Sequence, residues 1–142
     1  MKTFLDSGVL LTAWRGADPR QADAARSIMA DETRTFLTCE NVRLELLPKP
    51  LYEKRRMEVE FYNEYFGAAT IEPFSAGLGD AAFALAKKHG LAAGDALNLA
   101  SAIRQRADEF ITSELPGKPA FRVAGIKVVS LHSLPSTSPQ PQ

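Results

Sequence analysis

The sequence has almost none of the side chains that cross-link small proteins or bind soft metals. Its 142 residues include one cysteine, Cys39, and two histidines, His89 and His132, which are isolated from one another. A single cysteine forms no internal disulfide, and an unpaired cysteine is typical of a reducing compartment. Cys39 also has no partner at a spacing typical of zinc sites. These shortages exclude a disulfide scaffold and a zinc site of the finger type.

An excess of one charge and long apolar runs are also missing. The 17 basic residues balance the 17 acidic ones, so the formal net charge is +0. This balance argues against a general nucleic-acid coat, although a local basic strip beside an acidic site would still steer a polyanion. No apolar run approaches membrane-spanning length, and the first residues lack a signal-peptide pattern. We therefore expect a cytoplasmic protein that does not contact a membrane.

Short apolar strands alternate with helices along most of the chain. Strands are predicted at residues 3–5, 35–38, 69–72, 110–112 and 126–131. Helices are predicted at 18–29, from 40 to the prolines at 48 and 50, and at 52–67, 75–89 and 95–106. Trp14 is placed in a loop after the first strand.

This alternation predicts an α/β fold in three layers, α/β/α, with a mostly parallel central sheet covered by helices on both faces. Residues 1–134 are expected to form a single domain, since 142 residues suit one core. Residues 135–142 contain only Pro, Ser, Thr and Gln and are predicted to be disordered.

Four acidic residues are found where such a sheet presents its functional edge. Asp6 and Glu114 follow predicted strands, Asp95 lies at a helix start, and Glu45 lies about two turns into the helix after the second strand. The carboxyl ends of parallel strands meet at one edge. Carboxylates in apolar segments need compensation, and a hard divalent cation compensates several at once. The four acids therefore predict a Mg²⁺ or Mn²⁺ site suited to metal-assisted hydrolysis.

Each acid also has an ordinary structural explanation. Asp95 is a preferred helix N-cap residue, Asp6 suits a turn after a strand, and Glu114 suits a surface loop. A shared site is favoured because it replaces several separate explanations with one. Two other acids are set aside: Glu40 is interpreted as helping to start its helix, and Asp80 as facing solvent.

The basic and aromatic side chains are weaker signals. The cluster of lysines and arginines at residues 49–56 is interpreted first as a solvated helix face, and second as a contact for phosphate or a partner protein. The aromatic residues between 52 and 66 are interpreted as core or dimer surface. Lys118 and Arg122 follow Glu114 and are placed to meet a phosphate.

Four segments together resemble the PIN-domain family, in particular the VapC-like ribonuclease toxins. They are residues 4–11, 42–46, 94–102 and 107–114. Each is weak alone, but their order and spacing are fairly specific. The resemblance implies a flattened α/β/α sandwich, a Mg²⁺- or Mn²⁺-dependent endoribonuclease and frequent homodimers. It further implies the toxin of a type II toxin–antitoxin pair, which acts on RNA and is inhibited by a small antitoxin.

The family pattern is carried over residue by residue. Asp6, Glu45 and Asp95 match its three most regular acidic positions. Ser7 and Thr112 match small hydroxyl residues that support the site. The resemblance thus implies that these three acids, with a fourth acid after the strand at 110–112, are the metal ligands and catalytic residues.

Two positions depart from the family pattern. Glu114 stands where aspartate is usual. Its extra methylene predicts one of two outcomes: Glu114 contacts the metal through a water, or the second metal is bound weakly. Gly8 stands where asparagine is common, which removes a supporting hydrogen bond. Both departures motivate an alternative: a catalytically weak or inactive PIN-like module that binds RNA or a partner.

A phosphate-switching receiver-like domain is a further alternative from another functional class. Asp6, Thr112 and Lys118 superficially suit such a domain. It also needs an aspartate after a central strand, whereas the acids between residues 50 and 60 are glutamates on a predicted helix. We therefore rank this alternative low.

Overall fold

A five-stranded, fully parallel sheet forms the centre of the molecule. In the computed structural model, which describes residues 1–135, its strands are β1 (Lys2–Leu5), β2 (Thr35–Cys39), β3 (Thr70–Glu72), β4 (Glu109–Thr112) and β5 (Lys127–Ser130). Their order is β3-β2-β1-β4-β5, and each neighbouring pair is parallel. Residues 136–142, most of the tail predicted to be disordered, lie outside the described residues.

Helices flank this sheet in the part of the chain that the structure describes. They are α1 (Ser7–Arg15), α2 (Pro19–Met29), α3 (Glu40–Leu46), α4 (Pro48–Tyr52), α5 (Arg56–Ala68), α6 (Ala76–His89) and α7 (Ala93–Arg104). Helix α1 packs against α2, α5 and β4, while α7 packs against α6, β2 and β4. The predicted three-layer α/β/α fold with a mostly parallel sheet is confirmed. The single-domain assignment stays a prediction.

The strand order explains where a functional edge arises. The chain moves from β1 to β2 and β3 on one side, then returns to place β4 and β5 on the other side of β1. Such a reversal opens a crevice at the carboxyl ends of the two strands that flank it. Here those strands are β1 and β4, and they are held together in the core by stacked rings of Phe4 and Phe110 with centroids 5.5 Å apart.

The segment after β1 is a helix, so the prediction that placed Trp14 in a loop is wrong. Asp6 has an extended backbone, and its side chain accepts a hydrogen bond from the Ser7 N–H at 3.0 Å. This N-cap starts α1 immediately after the strand. The helix ends at Gly16, whose left-handed φ of 64° suits glycine. Trp14 lies within α1 and packs against Phe61, with ring centroids 5.5 Å apart.

The segment from Pro48 to Ala68 also differs from prediction. The helix expected from Tyr52 to Gly67 begins only at Arg56, and Tyr52 is the last residue of α4; the chain turns between these helices through Lys54 at a positive φ of 56°. Gly67 lies inside α5 and does not end it. Tyr52 is 87% exposed, so it is not a core residue. Proline at the first helical position is compatible with α4, since its missing N–H would be unpaired there anyway.

The amino ends of the strands are joined by buried polar groups. The Arg34 guanidinium forms an ion pair with Glu109, and the Thr3 hydroxyl donates a hydrogen bond to the same carboxylate at 3.1 Å. This edge is opposite the carboxyl ends of the strands. Within residues 1–135, none of the helices combines the length and the apolar character needed to cross a bilayer.

Candidate active site

Three of the four predicted acids line one cleft at the carboxyl end of the sheet. Asp6 follows β1, Asp95 lies in α7 and Glu114 follows β4; together with Thr112 and Lys118 they line a cavity of about 160 Å³. The rest of the lining comes from Gly90, Leu91, Ala92, Leu99, Phe110, Pro119 and Ala120. The cleft therefore combines an acidic floor, a single basic side chain among its described residues, and a largely apolar wall.

Glu45, the fourth acid, lies beside this cleft and is joined to it through an amide. The side-chain N–H₂ of Asn98 donates to Asp6 Oδ1 at 3.0 Å and to Glu45 Oε1 at 2.8 Å. Glu45 is exposed on α3, and a Cβ atom at Gly94 of α7 would lie 3.2 Å from its Oε2. The fold therefore brings all four acids to one edge, with three in the cleft and Glu45 at its side.

Asp6 is the most enclosed of the four carboxylates. It accepts hydrogen bonds from the Ser7 backbone at 3.0 Å, from Asn98 at 3.0 Å and from the Thr112 hydroxyl at 3.3 Å. Burial raises the pKa of Asp6 to about 6, with the charges of Asp95 and Glu45 adding to the rise and the Asn98 and Ser7 hydrogen bonds opposing it. The three hydrogen bonds thus hold the Asp6 carboxylate in place, while burial makes its charged form less favourable than in water.

The pKa values of Glu45 and Asp95 are raised by the same two kinds of cause. Partial burial of its carboxyl group raises the pKa of Glu45, although the residue as a whole is exposed; the charge of Asp95 raises it further, while hydrogen bonds from the Asn98 and Ser7 side chains lower it. Burial also raises the pKa of Asp95, and the charge of Glu114 adds to this. None of these acids forms an ion pair with a basic side chain of residues 1–135. Negative charge at this edge is therefore uncompensated.

The chemistry of the donor set fits a hydrated divalent cation. In the described chain, no group of three or more His, Cys, Asp or Glu side chains is arranged to hold a metal ion unaided. Mg²⁺ rarely needs such a cage, because it usually takes one or two carboxylates and keeps several waters. Carboxylates are also its preferred ligands, whereas zinc favours histidine and cysteine. Asp6, Asp95 and Glu114 are the residues that could hold the ion, with Glu45 beside them.

The ordinary interpretation of Asp95 as an N-cap does not hold. Helix α7 begins at Ala93, its N-cap is Ala92 without a side-chain hydrogen bond, and Asp95 is the third helical residue. Asp80 is exposed on α6, as predicted. Glu40 begins α3, as predicted, and pairs with Arg43 at 3.1 Å. The acid that enters the cleft is therefore not explained by helix capping.

Hydrogen bonds with residues before and after it hold the backbone of Glu114 in place. Its N–H donates to Thr112 Oγ1 at 3.1 Å, and its carbonyl accepts from the Ser130 hydroxyl at 2.7 Å. His132 donates from Nε2 to the Ser113 carbonyl at 3.0 Å. The loop that follows β4 is thus held by β5 and the turn after it, which fixes where the Glu114 side chain starts.

Sequence reasoning missed two residues of this edge, Asn41 and Asn98. Both are buried, with exposed fractions of 6% and 0%. A signal for Asn98 was present, because an amide inside the apolar run 96–102 must find hydrogen-bond partners once it is buried. For Asn41, next to a glutamate at the start of a helix, the sequence offered no comparable signal.

The sequence pattern of the PIN domain matches residues 3–114. The chain belongs to the PIN domain family. This confirms the resemblance, and the matched span contains all four acids of the edge described above. PIN domains are nucleases, so phosphodiester hydrolysis is the chemistry expected of this family.

Two solved structures that are similar to this PIN domain are a VapBC complex and a toxin–antitoxin complex. One is VapBC2 from Rickettsia felis bound to a DNA fragment from its promoter, with a TM-score of 0.69, 15% identity, and coverage of 92% of this chain and 98% of that one. Another is a toxin–antitoxin complex from Klebsiella pneumoniae, with a TM-score of 0.65, 19% identity, and coverage of 87% and 94%. At these identities the likeness shows the shared fold. No curated protein sequence matches the chain significantly.

Proposed function

We propose that this PIN domain is a metal-dependent endoribonuclease that hydrolyses phosphodiester bonds in RNA. The observation that supports the proposal is the cleft lined by Asp6, Asp95 and Glu114, which come from three separate segments and have no basic ion-pair partner among the described residues. Uncompensated carboxylates at the carboxyl edge of a parallel sheet suit a divalent cation and a phosphate.

Asp6, Asp95 and Glu114 would hold one or two Mg²⁺ or Mn²⁺ ions, with Glu45 as a fourth acidic member of the site. A bound ion of this kind supplies Lewis-acid stabilisation of the phosphate and lowers the pKa of an attacking water. The protein's own residues orient the acids. Thr112 and the Ser7 backbone hold the two oxygens of Asp6 from different sides, which fixes the plane of that carboxylate.

The wall of the cleft supports the choice of a nucleic-acid substrate. Lys118 lines the cleft together with the acids, and its ammonium would contact a phosphate oxygen of the substrate. The apolar side of the cavity, which includes Leu91 and Pro119, would exclude water and contact a base or sugar. The face of a nucleobase beside a phosphate would suit this combination of a lysine and an apolar wall.

We further propose that the chain is the toxin of a type II toxin–antitoxin pair in the cytoplasm, with a small antitoxin as its partner and a homodimer as its assembly. The similar structures from Rickettsia felis and Klebsiella pneumoniae, which are toxin–antitoxin complexes, support this role. Inducible expression would test it: wild-type protein is expected to arrest growth, whereas Asp6→Asn is not. Equal growth of both strains would contradict a toxin role.

Cleavage of a mixture of structured and unstructured RNA by purified protein tests the activity. We expect cleavage with Mn²⁺ that is abolished by EDTA and by Asp6→Asn or Asp95→Asn. The matched control is Asp80→Asn, because Asp80 is exposed on α6 outside the cleft. Cleavage that survives EDTA or Asp6→Asn would contradict the proposal. Binding of RNA without cleavage would instead favour the inactive module, which the departures at Glu114 and Gly8 suggest.

A further inference from the structure

The side chain of Asn98 is fully buried, and both ends of its amide are engaged. Its N–H₂ donates to Asp6 Oδ1 at 3.0 Å and to Glu45 Oε1 at 2.8 Å. Its oxygen accepts from the Cys39 thiol at 3.4 Å and from Asn41 Nδ2 at 3.0 Å. With an exposed fraction of 0%, Asn98 has no water to replace any of these partners. An amide this well satisfied has a fixed position.

The donors around Asn98 also fix the direction in which its amide points. The Cys39 thiol and the Asn41 amide are donors toward one end of Asn98, so that end must be the oxygen. The N–H₂ group is therefore turned toward Asp6 and Glu45. When these carboxylates are ionised, they have no hydrogen to donate and act only as hydrogen-bond acceptors. Asn41 strengthens this arrangement with a second hydrogen bond, from Nδ2 to Glu45 Oε1 at 3.1 Å.

Asn98 connects segments that are far apart in the sequence. Asp6 follows β1, Cys39 ends β2, Glu45 lies in α3 and Asn98 lies in α7. Without this amide, Ser7 would remain as a link, through its N–H to Asp6 and its side chain to Glu45, but no single group would hold both carboxylates from α7. The amide supplies a common reference point for both.

The neutrality of Asn98 matters as much as its geometry. A lysine or arginine in this place would bind both carboxylates but would also cancel their charge, and it would compete with a divalent cation. An apolar residue would remove the donor that Asp6 and Glu45 share, and it would leave the Cys39 thiol without the acceptor that Asn98 provides. An amide holds both acids and leaves their negative charge available.

We propose that Asn98 is a positioning residue that sets the separation and orientation of Asp6 and Glu45 before any cation is bound. Its importance for catalysis rests on the proposed function. The bridge itself does not, because the hydrogen bonds exist in the protein alone. Two experiments follow, one without metal or RNA and one with metal.

The first experiment observes the Asn98 side-chain amide by ¹H–¹⁵N NMR in EDTA, with its signals identified by their loss in Asn98→Asp. We expect two well-separated hydrogens in slow exchange with water. Asp6→Asn should shift mainly one of them and Glu45→Gln mainly the other, whereas the exposed-site control Asp80→Asn should shift neither. Fast exchange of these hydrogens with water would overturn the proposal. So would chemical shifts that stay the same in both Asp6→Asn and Glu45→Gln.

The second experiment measures Mn²⁺ affinity by calorimetry, with circular dichroism to verify folding. Loss of a residue that orients metal ligands typically weakens affinity about 10- to 100-fold, and we expect this for Asn98→Ala. Asn63→Ala is the matched control, because Asn63 is exposed on α5. Cys39→Ala, which removes one donor to the Asn98 oxygen, should weaken affinity to a smaller degree and serves if Asn98→Ala does not fold. Unchanged affinity in the folded variants would overturn the proposal.

RNA cleavage separates this inference from the proposed function. If wild-type protein cleaves RNA, Asn98→Ala should lower kcat and leave the KM for RNA nearly unchanged, since Asn98 does not line the cleft. If wild-type protein does not cleave RNA but the two amide hydrogens respond to Asp6→Asn and Glu45→Gln, the proposed function fails and the positioning role stands. If they do not respond, the positioning role fails whatever the cleavage result.

Discussion

A Cβ atom added to Gly8 would lie 2.2 Å from the Ser113 hydroxyl oxygen and 3.3 Å from its Cβ. The two residues therefore share a space that only one side chain can occupy. Gly8 lies in α1, two residues after Asp6, and Ser113 directly precedes Glu114. The asparagine that is common in PIN domains at the position of Gly8 could not enter without displacing Ser113. Glycine here is matched to the serine that faces it.

A double-mutant cycle tests this match. With Ser113 present, Gly8→Ala should destabilise the protein by about 1 kcal/mol, because the new methyl group displaces the hydroxyl. With Ser113→Ala, the same substitution should be neutral or stabilising by up to about 1 kcal/mol, because alanine favours a helix interior. Urea unfolding of the four proteins gives the coupling energy. A coupling below about 0.3 kcal/mol would mean that the two positions are independent.

The raised pKa of Asp6 predicts a pH-dependent stability. Its pKa rises from a usual value of 3.8 to about 6 in the folded protein. The folded state thus binds the proton more tightly, so stability that is present below pH 3.8 is lost as the pH rises to about 6. In EDTA, Asp6→Asn should be more stable than wild type by up to about 3 kcal/mol at pH 7.5 and similar in stability at pH 3.5. Urea unfolding at both pH values measures this.

Saturating Mn²⁺ provides the control for the Asp6 prediction. A cation that binds the folded wild-type protein should stabilise it at pH 7.5 by roughly 3 kcal/mol at a hundredfold excess over its dissociation constant. Asp6→Asn should gain less, so its advantage over wild type should shrink or disappear. An advantage of Asp6→Asn that is equal at both pH values would show that ionisation of the buried Asp6 carboxyl is not its cause.

The length of the Glu114 side chain predicts a gain of activity on shortening. The backbone of Glu114 is fixed by Thr112 and Ser130, so the extra methylene decides where its carboxylate lies. Glu114→Asp, the usual family residue, should lower the Mn²⁺ concentration for half-maximal cleavage by up to about tenfold, and Glu114→Gln should raise it. If Glu114→Asp cleaves less well than wild type, the cleft is adapted to glutamate.

Lys118 should contribute to RNA binding through charge. In an Asp6→Asn background that prevents cleavage, Lys118→Ala should weaken binding and reduce the slope of log affinity against log salt by about 1, because one phosphate contact is lost. Lys127→Ala is the charge-matched control, since Lys127 is exposed on β5 and does not line the cleft. Equal effects of both substitutions would indicate a general electrostatic attraction instead of a contact in the cleft.

The opposite edge of the sheet should affect stability without affecting metal binding. Glu109→Gln breaks one of the two ion pairs of Arg34 and should cost about 1 to 3 kcal/mol, because the largely buried guanidinium keeps only its ion pair with Asp31 at 3.0 Å. Mn²⁺ affinity of the folded protein should stay unchanged. If Mn²⁺ affinity falls together with stability, the positions of the acids depend on the whole sheet. Their local hydrogen bonds would then not be enough to hold them.

The parts of the fold predicted correctly were those in which apolar periodicity and helix caps agree. The strands that end at Leu5 and Thr112 were visible as short buried runs. Helix α1 was missed because the carboxylate that caps it, Asp6, was interpreted only as a metal ligand or a turn residue. The two roles are compatible, since one oxygen of Asp6 accepts from the Ser7 N–H while the other accepts from Thr112.

The candidate site was predictable in its charges but not in its neutral groups. Asp6, Asp95 and Glu114 converge because strand ends and helix starts meet at one edge, a rule that needs only the sequence. Asn41 and Asn98 could not be found this way, because their importance depends on partners from other segments. The close approach of Ser113 to Gly8 is a contact of the same kind, because the two residues are more than a hundred positions apart in the chain.

The attachment of the Glu114 loop to Ser130 and His132 has a consequence for how the protein is made. A ribosome has added all four acids by the time it reaches residue 114, yet the residues that fasten the last acid come later. The four acids are therefore synthesised before the residues that complete the edge on which they meet. If the proposed cleavage of RNA is correct, we expect the nascent protein to become active only after β5 and the turn that follows it have folded.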